Sequence, residues 1–157
     1  MGEGRGIVYV AYGTKAKRQM KLNRNALKNA GMDNIPVTII DESVFPQRDK
    51  GARWSKLNLD TLSPYDHTLY LDADTRVRAD IRVGFDILAD GFDMVITPST
   101  AQGSRLFGHI GNEEKEYTFD TLCNPWPLQL QGGVFWFVKS DAMLSLFEAW
   151  RDEWERY

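Results

Sequence analysis

The stretch "YLDADTRV", residues 70–77, places two carboxylates directly after an apolar run. On a regular strand the side chains of Asp72 and Asp74 would point to opposite faces of the sheet. The backbone must therefore turn at or just after Asp72 if both are to serve one site. Because ligands of open α/β sheets bind beyond the carboxyl ends of the strands, the motif predicts a strand that ends at a ligand site.

The residues before this motif form a strand–helix–strand pattern. "GIVYVAY", residues 6–12, is typical of a buried strand, residues 15–30 have helical periodicity with Gly31 as the C-terminal cap, and "IPVTIID", residues 35–41, predicts a second strand. This order predicts a parallel pair with a right-handed crossover. The other predicted elements are a helix at 54–62, strands at 68–71, 93–98 and 128–138, a loop at 99–127, and a helix after Ser140.

Length and composition predict one domain over residues 1–157, because 43% hydrophobic residues suffice for a single core. The net charge of -3 argues against nucleic-acid binding through the bulk field of the protein. A single cysteine suits a reducing compartment, and no apolar run is long enough to span a bilayer or typical of a secretory signal. We therefore expect a cytoplasmic protein.

The acidic pair is typical of a site for Mg²⁺ or Mn²⁺, which prefer oxygen ligands and share their coordination with water and substrate phosphates. A solvated turn is the alternative, since Asp is common in turns. A calcium loop is excluded because it would need glycine where the chain has Val77. A haloacid-dehalogenase-type phosphatase would want Thr or Val in place of Arg76, and its fold usually begins with the motif-bearing strand.

Two segments resemble GT-A-fold nucleotide-sugar glycosyltransferases, particularly the glycogenin-like and galactosyltransferase-like families. They are "GARWSKLNLDTLSPYDHTLYLDADTRV", residues 51–77, and "LQGGVFWFVKSDAMLSLFEAW", residues 130–150. The resemblance implies a GT-A (Rossmann-like) α/β fold, with a mostly parallel central sheet flanked by helices and a small antiparallel element near the D-x-D motif. It also implies metal-dependent transfer of a hexose from a nucleoside diphosphate sugar, a UDP-sugar in the first place, to an acceptor that the sequence does not identify.

The resemblance assigns catalytic roles to Lys56, Asp72, Asp74 and Gln131, with Gln131 standing where the family has Asn. Asp74 would ligate Mn²⁺ or Mg²⁺, Asp72 would bridge the ion and the ribose, and Lys56 would meet the diphosphate from the side opposite the metal. His109 is a further candidate ligand. The resemblance also implies contacts with the sugar-nucleotide donor at Ala11, Tyr12, Gly13, Thr14, Asp41, Arg53, Lys56, Asp72, Ala73, Gly132 and Gly133.

Several alternatives stay open at this point. The family's Asp-Gln element and late histidine ligand would lie beyond Tyr157. Retention or inversion is undecided, and an inverting enzyme would need a base such as Glu113, Glu114, Glu116 or Asp120. Trp126 is either a sugar platform or a core residue. The D-x-D chemistry also suits a phosphatase or nucleotide-sugar hydrolase, or a non-catalytic sugar-nucleotide-binding protein.

Two surfaces suggest partners. The helix at 15–30 carries a basic face that is either solvated or binds an anionic partner. Its cations are Lys15, Lys17, Arg18, Lys21, Arg24 and Lys28. The apolar stripe of the last helix could be completed by a second copy of the chain, which makes a homodimer possible.

Overall fold

A computed structural model of the protein describes residues 4–46, 51–99, 111–123 and 128–156. These residues form an α/β structure with a five-stranded mixed sheet flanked by helices. The strands are β1 (Arg5–Val10), β2 (Val37–Ile40), β3 (His67–Asp72), β4 (Met94–Pro98) and β5 (Leu130–Val138). The helices are α1 (Gly13–Asn29), α2 (Gly51–Lys56), α3 (Leu59–Leu62), α4 (Val83–Ala89), α5 (Asn112–Leu122) and α6 (Asp141–Arg156).

The sheet has the strand order β2-β1-β3-β5-β4. β1 pairs in parallel with β2 and β3, whereas β3 pairs with β5 in the antiparallel sense. The Val138 N–H donates to the Asp93 carbonyl at 3.0 Å and the Ser99 N–H to the Gln129 carbonyl at 2.7 Å, so β4 and β5 are also antiparallel. Four strands therefore share one direction, and the reversed strand β5 lies beside the strand that ends at Asp72.

The two faces of the sheet bury different residues because side chains alternate along each strand. On one face, Leu69 and Leu71 of β3 belong to the main apolar cluster, together with Leu27 of α1 and Phe85 of α4. The opposite face is aromatic and packs on α6. There Phe147 contacts Phe137, with ring centroids 5.2 Å apart. Such ring pairs contribute about 1 kcal/mol each beyond the apolar area that they bury.

Two predicted helix ends are confirmed. Gly31, at φ +70, follows α1, and the Met32 N–H donates to the Leu27 carbonyl at 3.0 Å, which is the Schellman arrangement that glycine favours. At the start of α6 the Met143 N–H donates to the Ser140 hydroxyl at 3.3 Å, so Ser140 caps the last helix as the sequence predicts.

Other predicted elements are wrong. The single helix expected at 54–62 is two short helices, α2 and α3. Between them, Asn58 leaves helical geometry (φ -117) while its side-chain amide donates to the Trp54 carbonyl at 2.7 Å. α4 was not predicted, and α5 lies inside the predicted loop at 99–127. α5 buries no residue, so its sequence shows no apolar period to mark it as a helix.

The chain divides into two compact units, Met1–Val95 with Gly133–Tyr157, and Ile96–Gly132. In the first unit a buried ion pair ties α6 to the segment before β3: Arg151 Nη1 lies 2.9 Å from Asp60 Oδ1 and 2.8 Å from the Leu57 carbonyl oxygen. α5 belongs to the second unit. Among the described helices, none combines the length and the apolar character needed to cross a bilayer.

Candidate functional site

Three neighbouring strands of the first unit end at the same level. Val10, the last residue of β1, is in register with Ile40 on β2 and with Asp72 on β3. The residues that follow each strand therefore emerge along one edge of the sheet. Ala11 follows β1, Asp41 follows β2, and Ala73 follows β3, so the strand-end residues predicted for the donor are brought to one edge.

The backbone turns immediately after Asp72, as the spacing of the two carboxylates requires. The Thr75 N–H donates to the Asp72 carbonyl at 3.0 Å, which closes the turn over Ala73 and Asp74. Asp74 is exposed. The pKa of the Tyr70 hydroxyl is raised well above its ordinary value, first by burial, then by the charge of Asp72 and its hydrogen bond, and finally by the charge of Asp74. Both carboxylates thus act on the same phenol.

Asp72 is held by three side chains from three elements. The Tyr70 hydroxyl donates to Asp72 Oδ1 at 2.5 Å, and Lys56 Nζ of α2 lies 2.9 Å from the same oxygen. The ammonium of Lys56 also lies 4.9 Å from the centroid of the Tyr70 ring, within the range of a cation–π contact. Below them the buried Asn23 of α1 donates from Nδ2 to the Asp72 main-chain carbonyl at 3.4 Å.

The loop after β1 is fixed to α2 through Tyr12. The Tyr12 hydroxyl donates to the Phe45 carbonyl and is 2.8 Å from the Ser55 hydroxyl, next to Lys56 in the chain. Burial raises the pKa of Tyr12, and the hydrogen bond from Ser55 partly offsets that rise. Gly13 has φ +73, a conformation that residues with a Cβ rarely adopt, and Thr14 is exposed. Tyr12 therefore positions α2 beside the strand ends.

Asp41 already has its own partners. Its Oδ1 accepts from the Ser43 hydroxyl at 2.6 Å and from the Ser43 N–H at 3.0 Å, while Oδ2 lies 3.0 Å from Lys17 Nζ. These contacts hold the pKa of Asp41 far below its usual range, with the Ser43 hydroxyl as the largest cause and Lys17 next. The same ammonium is 3.0 Å from Glu42. A donor contact at Asp41 would have to share this carboxylate with Ser43 and Lys17.

The remaining predicted residues within the described ranges lie on α2, α5 and β5. Arg53 is exposed on α2, and Gly133 is buried on β5 one residue before Val134, the residue in register with Leu71. Gln131 and Gly132 belong to the second unit and are exposed on β5. The acidic residues of α5 belong to that unit too. Two of the predicted residues, His109 and Trp126, lie outside the described residues.

The residues at the end of β3 fit a small divalent cation. Asp72 Oδ1 is engaged by Tyr70 and Lys56, which leaves Oδ2 and the carboxylate of Asp74 as acceptor oxygens. Across the described ranges there is no cluster of three or more His, Cys, Asp or Glu side chains suited to a metal ion. Two carboxylates match the way Mg²⁺ is often bound, with water and phosphate oxygens completing the shell.

Tyr70 and Asn23 are site residues that the sequence analysis missed, although each carries a signal. Tyr70 precedes Asp72 by two positions on a strand, so the two side chains share a face of the sheet. Asn23 is an amide on the apolar face of α1, between Met20 and Leu27, and it is fully buried. A buried amide in an apolar stripe indicates a specific hydrogen bond, which here goes to the backbone of Asp72.

No protein-family model and no curated protein matches this sequence. The resemblance described above therefore rests on the sequence motifs alone.

Proposed function

We propose that the chain is a metal-dependent glycosyltransferase with a GT-A-type fold, which transfers a hexose from a nucleoside diphosphate sugar, most simply a UDP-sugar, to a hydroxyl acceptor. The observation that carries the proposal is the cluster of Asp72, Lys56 and Tyr70 at the carboxyl end of β3, with Asp74 exposed in the turn beyond. The antiparallel strand β5 beside β3 supports the GT-A form. A cytoplasmic location belongs to the same proposal.

Asp72 and Asp74 would hold Mn²⁺ or Mg²⁺, which when bound stabilises the negative charge that grows on the departing nucleoside diphosphate. Tyr70 orients the carboxylate of Asp72 from inside the core, because its hydroxyl is fixed on Oδ1. Asn23 anchors the backbone at the same residue. The acidic motif therefore needs little rearrangement to receive a ligand.

Lys56 supplies the positive charge that a diphosphate needs on its protein side. Its ammonium is 2.9 Å from Asp72, so it lies beside the motif. A phosphate oxygen entering next to Asp72 would find Lys56 within reach and could accept a charge-assisted hydrogen bond from it. Tyr12 and Ser55 hold the helix that carries this lysine against the β1 loop.

Calorimetry with UDP, in the presence and absence of Mn²⁺, tests the proposal together with an assay of nucleotide release from UDP- and GDP-sugars. We expect UDP binding that requires Mn²⁺ and release of UDP from at least one donor when an acceptor is present. Lys56→Met should weaken UDP binding about tenfold, whereas the matched variant Lys17→Met should leave it unchanged.

Three outcomes would contradict transfer. Phosphate release from simple esters with no nucleotide preference would assign the site to a phosphatase. Release from a donor to water alone, with no acceptor dependence, would assign it to a nucleotide-sugar hydrolase. Tight UDP binding without any release would leave a sugar-nucleotide-binding protein. If saturating Mn²⁺ left the UDP affinity unchanged, neither transfer nor any of these alternatives would depend on the metal.

A further inference from the structure

The outer edge of β2 presents backbone groups that no described strand covers. β2 is the last strand on its side of the sheet, and Ile7 of β1 is in register with Val37. The Ile7 N–H donates to the Pro36 carbonyl at 2.8 Å and the Ala11 N–H donates to the Ile40 carbonyl at 2.9 Å. In a parallel ladder this pattern turns the N–H and C=O groups of Val37 and Ile39 away from β1.

A row of cations on α1 runs beside this edge. We call it the cationic stripe; its members are Lys17, Lys21, Arg24 and Lys28. Their spacing of four, three and four residues places them on one side of the helix. Across the described ranges, Lys21, Arg24 and Lys28 form no ion pair, whereas Lys17 binds the carboxylates of Asp41 and Glu42, each at 3.0 Å.

Three members of the stripe and the first residue of β2 line a cavity of about 610 Å³. The described residues that line it include the cations Lys21, Arg24 and Lys28, the acidic Asp33, and the apolar Leu27 and Val37. A ligand there meets three ammonium or guanidinium groups, apolar side chains and, at Val37, an outward-facing strand backbone. Each of these features calls for a different part of a ligand: carboxylates, small apolar groups and a peptide main chain.

We propose that the edge of β2 docks an extended acidic segment of a partner protein, which adds a strand next to Val37 and Ile39 and directs alternate carboxylates to the cationic stripe. Same-face residues of a strand are about 6.7 Å apart, and successive cations of the stripe are separated by about 4.5–6 Å along the helix axis. Flexible side chains accommodate this small mismatch. Lys17, one member of the stripe, already binds the carboxylates of Asp41 and Glu42, the two residues that follow β2.

This inference does not rest on the proposed transferase activity, because the proposed docking surface, formed by the outer edge of β2 and the cationic stripe, contains no proposed metal ligand or donor contact. Main-chain pairing would supply the affinity, and the cations would select acidic sequences and exclude basic ones. β2 begins at Val37, whose backbone groups face outward, so we expect the added strand to be anchored from Val37 onward.

Fluorescence anisotropy tests the proposal with a labelled peptide of about six residues that alternates glutamate and threonine. We expect saturable binding that weakens as salt is raised. Lys21→Glu combined with Lys28→Glu should weaken it about tenfold or more. The matched variant, Lys15→Glu combined with Arg18→Glu, makes the same change in net charge on the same helix outside the cavity and should bind like the native chain.

Ile39→Pro separates strand addition from simple charge attraction. It removes an N–H that faces away from β1, so it should abolish peptide binding while leaving the β1–β2 ladder in place. Circular dichroism of each variant checks that it folds. Amide exchange on the native chain gives an independent measurement: the peptide should slow exchange at Val37 and Ile39, while Thr38 and Ile40, whose amides face β1, are already protected.

Two results would overturn the proposal. If peptides with lysine in place of glutamate bound with the same affinity as the acidic peptide, the cationic stripe would not select acidic sequences. The other result is that pyrophosphate or a disordered glutamate chain binds as tightly as the alternating peptide and leaves amide exchange at Val37 and Ile39 unchanged. That result would show that the cavity binds anions without adding a strand.

Discussion

Two lysine–aspartate pairs lie at the ends of the strands that flank β1, and they have nearly the same length. Lys17 Nζ is 3.0 Å from Asp41 after β2, and Lys56 Nζ is 2.9 Å from Asp72 at the end of β3. Distance alone does not distinguish them. Their surroundings do, and the difference indicates which strand end is built to receive a ligand.

The pair after β2 is shared with other polar side chains of the loop that follows that strand. Asp41 is satisfied by Ser43, two residues away, and Lys17 is shared with Glu42. The pair at β3 is held from the core: the buried Tyr70 bonds the carboxylate, and the buried Asn23 bonds the backbone. The comparison teaches that one pair belongs to a loop that satisfies itself, whereas at the other a buried hydroxyl and a buried amide hold the acidic residue in place.

The largest expected effect comes from removing the charge of each aspartate in turn. Asp72→Asn should lower Mn²⁺-dependent UDP affinity and turnover about 100-fold or more, because the variant loses an ionic ligand worth several kcal/mol. Asp41→Asn should change either quantity less than about threefold. Calorimetry and nucleotide release measure both. If the two variants lose affinity equally, the distinction between the two strand ends is wrong.

A smaller effect is expected from the buried hydroxyl beneath Asp72. Tyr70→Phe removes the hydrogen bond that fixes Oδ1, and we expect about a fivefold loss of Mn²⁺-dependent UDP affinity. The control is Tyr65→Phe, since the Tyr65 hydroxyl bonds Thr38, 2.8 Å away, and makes no contact with Asp72. Both variants should lower the free energy of unfolding by about 1 kcal/mol. Equal UDP affinities in the two would make the role of Tyr70 purely structural.

The smallest effect concerns acid titration at the other pair. Because the folded pKa of Asp41 lies below its unfolded value, the pair contributes stability above the unfolded pKa of about 3.9, and this contribution is lost as the pH falls through the folded pKa. Lys17→Met should raise the pKa of Asp41 only part of the way toward its ordinary value, since the hydrogen bond from Ser43, which is the larger cause of the lowered pKa, remains. Carboxyl NMR titration measures the shift, and an unchanged pKa would show that Lys17 does not contribute to it.

The sequence predicted the elements whose signals are local. The apolar runs of β1, β2 and β3 and the glycine cap of α1 depend on neighbouring residues, and the structure has all of them. The turn after Asp72 followed from the side-chain period of a strand. The exposed helix α5 was missed because it buries no residue and so has no apolar stripe to reveal it. The break at Asn58 was missed because the apolar pattern does not show where a helix is interrupted.

The partners of the site residues could be predicted only in part. The motif singled out Asp72 and Asp74, but the contact between Lys56 and Asp72 depends on how α2 docks, which involves Tyr12 and Ser55 far away in the chain. Strand spacing alone could have paired Tyr70 with Asp72. The roles of Gln131, Gly132 and His109 stay predictions, because the first two lie in the other compact unit and His109 is outside the described residues.

The buried pair of Asp60 and Arg151 connects α6 to the segment that carries Lys56, the lysine beside Asp72. Arg151 also bonds the carbonyl of Leu57, the residue that follows Lys56 in the chain. A chain shortened before Arg151 would leave a carboxylate enclosed without a counter-charge, at a cost of about 3–5 kcal/mol. Truncation by proteolysis within the last helix would thus loosen the support of Lys56, although the cut would be more than ninety positions away.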